Sequence, residues 1–184
     1  MREIEVKAKL IDKSKVLENL KSIGCVFEDE ITQVDTVYVK EVGNLETFLS
    51  NSHFLRIRIK NNEKIIFTLK TNKDQKTKGG LDKIEHEVIV DSKVEFESIL
   101  AILGYKPQIT TSKTRLETHY RDFEICVDEI KDLGSFIEVE RIVDDGDGEA
   151  IQQGMFEFLE SIGVNKEDRV FEGYDILMMK SHIL

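Results

Sequence analysis

The feature that most constrains this chain is a period of two in its apolar residues, which returns in eight separate segments. In segment 53–60, for example, Leu55 and Ile57 alternate with Arg56 and Arg58. Alternation of this kind is typical of a β-strand with one apolar and one polar face. The predicted strands are residues 3–10, 31–39, 53–60, 64–71, 84–91, 113–121, 123–129 and 136–142.

Three further segments have apolar residues at helical spacing and end in glycine: 17–24, 96–104 and 155–163. A glycine after the last turn is the usual C-terminal cap of a helix. We therefore expect three amphipathic helices, each with one face available to cover a sheet.

Short polar connections predict which strands are neighbours. Asn61-Asn62 separates the third and fourth predicted strands, and Arg121-Asp122 separates the sixth and seventh. Two-residue connections favour tight hairpins, so both pairs are expected to be antiparallel. The polar stretch 71–83, which contains Gly79-Gly80, is expected to be a long exposed loop.

Length and composition limit the class of protein. No linker divides the 184 residues, so we expect a single domain over 1–184. A net charge of −10 argues against general nucleic-acid binding, which needs a basic surface. No apolar run approaches the ~18 residues of a membrane span, and the charged start of the chain is unlike a signal segment. A cytoplasmic protein without membrane or nucleic-acid partners is expected.

The polar faces of the predicted strands are unusually rich in charged residues, and the signs are grouped by strand. An open sheet with one dry and one wet face is one interpretation of this pattern. The other is that helices cover the apolar face, so that the charged face lines the inside of a barrel, for which eight strands suffice. We favour the second interpretation, an α+β fold with a closed eight-stranded antiparallel β-barrel and flanking helices.

A charged interior is costly unless it holds a ligand of matching charge. Basic side chains at these positions suit a polyanion with several phosphates. They are Lys7, Arg56, Arg58, Lys70, Lys113 and Arg115. Carboxylates in the same interior suit Mg²⁺ or Mn²⁺, which bind carboxylate and phosphate oxygens together. They are Glu3, Glu5, Asp128, Glu138 and Glu140.

These segments resemble the motifs of a known family. Glu3-Ile4-Glu5-Val6-Lys7 is similar to the ExExK signature of the CYTH superfamily, the triphosphate tunnel metalloenzymes. Residues 55–58 are similar to its LRxR strand, and 67–70 to its strand that ends in a phosphate-binding Lys. Residues 85–88 are similar to its ExE strand, and 113–115 to its KxR strand. The segment 128–140 resembles the class IV adenylyl cyclase branch, with a D-E-x-x-x-L-G-x-F-x-E-x-E pattern.

The resemblance implies a tunnel in which the basic residues hold a triphosphate such as ATP. It also implies one or two metals on the five carboxylates. The residues expected to act in catalysis are Glu5, Asp128, Glu138 and Glu140. Glu85 and Glu87 are expected either to bind metal or to orient neighbouring Arg and Lys side chains. The C-terminal segment departs from the cyclase pattern, because Gly173 stands where those proteins have Ser before Tyr174.

Two reactions fit such a site. One is the cyclisation of ATP to cyclic AMP and pyrophosphate. The other is hydrolysis of inorganic triphosphate, a nucleoside triphosphate or thiamine triphosphate. A binding module that only captures the polyphosphate is a third hypothesis, although capture alone would need no carboxylates. The resemblance favours the cyclase, acting as a monomer or homodimer.

Overall fold

The computed structural model describes residues 2–50, 53–72, 82–144 and 147–182, with backbone alone for residue 2 and for residues 70–72 and 82–85. The strands are β1 Arg2–Lys9, β2 Ile31–Val39, β3 His53–Lys60, β4 Lys64–Asn72, β5 Asp82–Val90, β6 Lys106–Tyr120, β7 Phe123–Ile130, β8 Gly134–Val143 and β9 Arg169–Val170. The α-helices are α1 Lys13–Ser22, α2 Leu45–Leu49, α3 Lys93–Ile102, α4 Gly148–Ser161 and α5 Tyr174–Ser181.

The described strands form one antiparallel sheet in the order β5-β4-β3-β2-β6-β7-β8-β1-β9. Both predicted hairpins are confirmed. Asn61 and Asn62 have φ angles of 53° and 58°, and Arg121 has φ 57°. Asparagine tolerates this left-handed region better than most residues, which suits the Asn-Asn pair to a tight hairpin.

The predicted closed barrel of eight strands is correct only in part, because the described sheet has nine strands and is not fully closed. β1 meets β5 through only two residue pairs, Glu3 with Lys83 and Ile4 with Asp82. Further along, β1 pairs instead with β9, which lies beside Lys7 and Ala8. This edge of β1 is thus shared between β5 and β9. The two-residue β9 is too short to show an alternating pattern, so the sequence did not predict it.

The apolar face of the sheet lies outside, under the helices, as predicted. α1 and α4 cover β1, β7 and β8, where Val6, Ile125 and Val139 are completely buried against Leu20 and Met155. On the opposite wall, α3 packs on β2–β4. Burial of these side chains is the main favourable contribution to folding. The charged face must therefore point inward.

The three predicted helices are confirmed as α1, α3 and α4. Each is followed by a glycine with positive φ, namely Gly24, Gly104 and Gly163. At the start of α3, the Ser92 hydroxyl accepts a hydrogen bond from the Glu95 backbone N–H. Glycine therefore marked the ends of all three helices, whereas the helices begin earlier than the predicted segments, at Lys13, Lys93 and Gly148.

Two short helices close one end of the sheet. α5 packs Met178 against Ile130 and Phe136, while Met179 contacts Phe48 of α2. This end is blocked by apolar side chains, and the N-terminus of α5 faces the interior. No helix in the described part of the chain is both long and apolar enough to cross a membrane.

The predicted loop 71–83 is shorter than expected, since β4 extends to Asn72 and β5 begins at Asp82. The remaining loop residues, 73–81, lie outside the described residues. β6 begins seven residues earlier than predicted, at Lys106. Its first part pairs with β2 across a register shift between Val37 and Tyr38. A polar segment with a proline gave no strand signal there.

Candidate functional site

The inward face of the sheet surrounds a central cavity of about 720 Å³. Strand register sets its composition, because each inward side chain faces a counterpart on the next strand. Lys7 lies opposite Glu138, and Glu5 lies opposite Glu140. Ten of the predicted site residues line this cavity: Glu3, Glu5, Lys7, Arg56, Arg58, Glu87, Lys113, Arg115, Glu138 and Glu140.

Three other predicted site residues do not belong to that list. Asp128 is completely buried behind the cavity wall, at 0% exposure. Lys70 and Glu85 are described by backbone alone, and they pair with each other across β4 and β5. The predicted roles of these two side chains stay predictions.

A buried ion-pair cluster occupies the wall formed by β1, β6, β7 and β8. It consists of Lys7, Lys113, Arg115, Asp128 and Glu138. Arg115 binds Asp128 through two hydrogen bonds of 2.7 Å and also contacts Glu138. Lys113 Nζ lies 3.0 Å from Asp128 Oδ2, and Lys7 Nζ lies 2.9 Å from Glu138 Oε1. Every carboxylate oxygen of this cluster therefore contacts a cation.

The pairing fixes the charge of the buried groups. Burial alone would raise the pKa of Glu138, but Lys7 and Arg115 hold it well below its usual range. Burial would likewise lower the pKa of Lys7, and the carboxylates of Glu138 and Glu5 raise it instead. For Lys113, burial and the repulsion of Arg115 prevail, so its pKa is lowered. Pairing thus favours the charged forms of Glu138 and Lys7, whereas burial and Arg115 disfavour the charged form of Lys113.

An acidic trio, Glu3, Glu5 and Glu140, lies next to this cluster. One carboxylate oxygen from each side chain lies within 4.8 Å of the other two. Burial, together with the negative charges of Glu138, Glu3 and Glu5, raises the pKa of Glu140 to about 8. Like charges this close repel one another, and a divalent cation would relieve that repulsion. The all-oxygen donor set fits Mg²⁺ or Mn²⁺.

A second group that includes acids is less suited to such a cation. Glu117, Glu124 and Cys126 also bring one donor atom each within 4.8 Å of one another. Burial raises the pKa of the Cys126 thiol, so that it stays protonated. A neutral thiol is a poor ligand for Mg²⁺ or Mn²⁺.

The opposite wall carries the predicted arginines of β3. Arg58 binds the Asp35 carboxylate with two hydrogen bonds of 2.7 Å. Arg56 Nη2 donates to Thr68 Oγ1 at 3.1 Å and to Glu87 Oε1 at 3.2 Å. Of the two alternatives for Glu87, these contacts favour the orientation of a neighbouring arginine.

Sequence reasoning missed two functional candidates on β2, Gln33 and Asp35. Both line the cavity. Burial would raise the pKa of Asp35, but the hydrogen bonds and charge of Arg58 lower it. The apolar face of β2 changes side along the strand, since both Val37 and Tyr38 are buried. Parity was therefore ambiguous in this segment, because its odd-numbered positions mix the apolar Ile31 and Val37 with the polar Gln33 and Asp35.

Tyr174, the first residue of α5, also reaches the site. Its hydroxyl donates to Asp128 Oδ2 at 3.0 Å. Its ring lies 4.2 Å from Lys7 Nζ and 5.1 Å from Lys113 Nζ. Tyr174 therefore connects α5 to three members of the ion-pair cluster.

Comparison with known proteins agrees with this architecture. The chain is 29% identical to a candidate adenylate cyclase of Methanocaldococcus jannaschii over 175 residues, which are 95% of this chain and 97% of the relative. The solved structure of the PH1819 protein from Pyrococcus horikoshii is 25% identical with a TM-score of 0.79, covering 97% of this chain and 99% of that one.

A third similar protein is a plant one. The chain superposes on the adenylyl cyclase candidate HpAC1 from Hippeastrum with a TM-score of 0.67 at 17% identity, over 99% of this chain and 96% of that chain. That protein is described as having a dominant triphosphatase activity. At this identity the likeness shows a shared fold. The family model of the CYTH domain matches residues 1–174, and the chain therefore belongs to the CYTH domain family.

Proposed function

We propose that this protein is a divalent-metal-dependent enzyme that converts ATP to cyclic AMP and pyrophosphate inside the central cavity. One observation carries the proposal: a single cavity places arginine and lysine side chains beside a compact trio of carboxylates. Cations bind the phosphates, and the carboxylates suit the metal that accompanies them. The cyclase-like pattern of 128–140 and the name of the M. jannaschii relative support this choice of reaction.

The phosphate chain would lie along the cations of the two facing walls. Arg56 and Arg58 of β3 lie on one wall, and Lys113 and Arg115 of β6 lie on the other. Because Asp35 and Asp128 already hold two of these guanidinium groups, the donors are ordered before the substrate arrives. Preorganised donors stabilise developing charge without reorganising during the reaction. Lys70, at the inward position predicted for it, would extend this set.

The acidic trio is the proposed metal site. Glu3, Glu5 and Glu140 offer oxygen atoms, and a metal bound there would polarise a phosphoryl group and acidify a nearby hydroxyl. Asp128 and Glu138 were expected to bind metal as well. Because cations contact all of their oxygens, we propose that they position Lys7, Lys113 and Arg115 instead.

In the cyclase reaction, the ribose 3′-oxygen forms a bond to the α-phosphorus while the bond to the bridging oxygen of pyrophosphate breaks. The 3′-proton is released, and the arginine and lysine side chains stabilise the negative charge that accumulates on pyrophosphate. The protein's own contribution is thus to hold the triphosphate in line and to exclude alternative orientations.

Triphosphate hydrolysis is the second candidate. The same cations would stabilise attack of water on the terminal phosphorus while its bond to the bridging oxygen breaks. ADP leaves from ATP, or pyrophosphate from inorganic triphosphate, and the terminal group becomes phosphate. The described activity of HpAC1, which shares this fold, favours keeping this alternative. The two reactions differ in which phosphorus is attacked: the α-phosphorus in the cyclase and the terminal phosphorus in the hydrolase.

The test is to incubate purified protein with ATP and either Mg²⁺ or Mn²⁺, to separate the products by chromatography, and to run inorganic triphosphate in parallel. Cyclic AMP with equimolar pyrophosphate would support the cyclase. ADP and phosphate without a cyclic product would establish the hydrolase. Binding of triphosphate without any turnover would favour the capture module.

A matched pair of variants connects the activity to the acidic trio. Glu140→Gln keeps the shape of the side chain and removes a proposed metal ligand, whereas Glu63→Gln changes an exposed carboxylate in the β3–β4 turn. We expect loss of metal-dependent turnover in the first variant and normal turnover in the second. Full activity of Glu140→Gln would overturn the metal assignment.

A further inference from the structure

Gln33 lines the cavity and belongs to none of the ion pairs described above. It lies on β2 between Lys60 of β3 and Lys113 of β6, which are its register neighbours. The residue is only 3% exposed, and it lines the cavity. Within the described part of the chain, its amide oxygen Oε1 has no hydrogen-bond partner.

A buried amide oxygen without a partner is unusual, because buried polar atoms are nearly always hydrogen-bonded. The neighbouring inward side chain on this strand is, by contrast, paired through both of its oxygens. Asp35, two residues along the same strand, holds both nitrogens of the Arg58 fork. The Gln33 amide thus presents hydrogen-bonding capacity to whatever enters the cavity.

The chemistry of the amide limits what it recognises. An ionised phosphate offers only acceptor oxygens, and the lysine and arginine side chains of the cavity already suit it. A neutral amide adds little to that attraction, but it pairs well with a neutral polar group such as a sugar hydroxyl or the amino group of a base. Among the lysine and arginine side chains of the cavity, the Gln33 amide oxygen therefore offers a neutral hydrogen-bond acceptor.

We propose that Gln33 is a specificity-determining residue that binds a hydrogen-bond donor on the nucleoside part of a nucleoside triphosphate. The inference rests on the proposed function, in which a triphosphate occupies this cavity. It deepens that function by making the substrate a nucleoside triphosphate and not inorganic triphosphate.

The experiment compares how ATP and inorganic triphosphate raise the melting temperature of the wild type and of Gln33→Met, over a concentration series that yields both dissociation constants. Gln33→Met keeps the length of the side chain and removes the amide. Gln153→Met, at an exposed position of α4, is the control. We expect Gln33→Met to weaken ATP binding about 5- to 10-fold, the value of one hydrogen bond, and to leave inorganic triphosphate binding unchanged.

Analogues locate the donor. 2′-Deoxy-ATP, 3′-deoxy-ATP and purine riboside triphosphate each lack one donor of ATP, and the analogue without the recognised group should bind wild type and Gln33→Met equally. Gln33→Asn, which retains the amide on a shorter side chain, serves if Gln33→Met does not fold.

Equal weakening of both ligands would assign Gln33 to the phosphates and overturn the proposal, as would unchanged binding of both. A lower melting temperature without ligand and no change in relative affinity would mean that Gln33 is structural. If neither triphosphate stabilises the wild-type protein, the proposed function itself fails, which is a distinguishable result.

Discussion

The ion-pair cluster and the acidic trio lie side by side in one cavity, yet they treat charge in opposite ways. In the cluster, three cations face the two carboxylates of Asp128 and Glu138, and contacts of 2.7–3.0 Å pair the groups. In the trio, three side chains of the same sign converge. The two regions meet at Glu5, whose Oε1 atom lies 3.7 Å from Lys7 Nζ.

The difference shows in the pKa values of two glutamates on the same strand. Glu138 and Glu140 both point inward from β8, and both are affected most by burial. Cations keep the pKa of Glu138 low, whereas neighbouring carboxylates raise that of Glu140 to about 8. The cluster is therefore complete within the protein, while the trio gains from an added cation. We expect the first region to govern stability in addition to its proposed role in phosphate binding, and the second to govern metal-dependent activity.

The largest expected effect comes from breaking the cluster with Arg115→Leu. Two buried carboxylates, Asp128 and Glu138, would lose their shared cation. Removing one partner of a buried pair costs about 3–5 kcal/mol in the free energy of unfolding, because a charge is left uncompensated. Urea unfolding measures this loss.

Arg141→Leu is the matched control, since its pair with Asp122 at 2.7 Å is largely exposed. Exposed pairs contribute roughly 0–1 kcal/mol. If the two variants lost similar amounts of stability, the ion-pair cluster would not be a stabilising element.

The next effect sharpens the role of the trio. Glu140→Gln should weaken binding of Mg²⁺ or Mn²⁺ by about 100-fold or more, because loss of groups that merely orient metal ligands already costs 10–100-fold. Folding should be preserved, because the amide removes a repulsive charge. Metal titration followed by thermal unfolding checks both statements. Unaltered metal affinity would exclude Glu140 from the ligand set.

The pH dependence of the metal-free protein should separate wild type from the same variant. The pKa of Glu140 is raised on folding, to about 8, so its favourable contribution is complete below an unfolded value near 4.5 and is lost as the pH rises toward 8. Glu140→Gln has no such group. Its stability relative to wild type should therefore increase between pH 5 and pH 9 in chelator. A constant difference across that range would contradict the raised pKa.

The smallest expected effect concerns the edge of the cluster. Tyr174→Phe removes the hydroxyl that donates to Asp128 at 3.0 Å and keeps the ring beside Lys7. We expect a loss of about 0.5–1.5 kcal/mol, the range for one hydrogen bond. Denaturant unfolding tests this, with Tyr120→Phe as a control outside the cluster. If Tyr174→Phe lost no more stability than the control, the Tyr174 hydroxyl would not stabilise the ion-pair cluster.

The sequence by itself determined which faces of most strands carry charge, and ten of its thirteen predicted site residues line the cavity. It did so because strand side chains alternate strictly, so that Glu3, Glu5 and Lys7 must share a face. It also identified three helices and both hairpins, since glycine caps and asparagine turns act over a few residues. The resemblance to the CYTH family likewise depended on short motifs within single strands.

Only the tertiary structure decided which of those charges neutralise one another. Parity places Glu138 and Glu140 on one face with equal prospects, and the register with β1 sets one opposite Lys7 and the other opposite Glu5. The partial closure of the sheet also depends on distant segments, because β9 pairs with Lys7 and Ala8 of β1. Pairing between residues far apart in the chain leaves no local signal, and that pairing separates the charges that stabilise this fold from those that suit a metal.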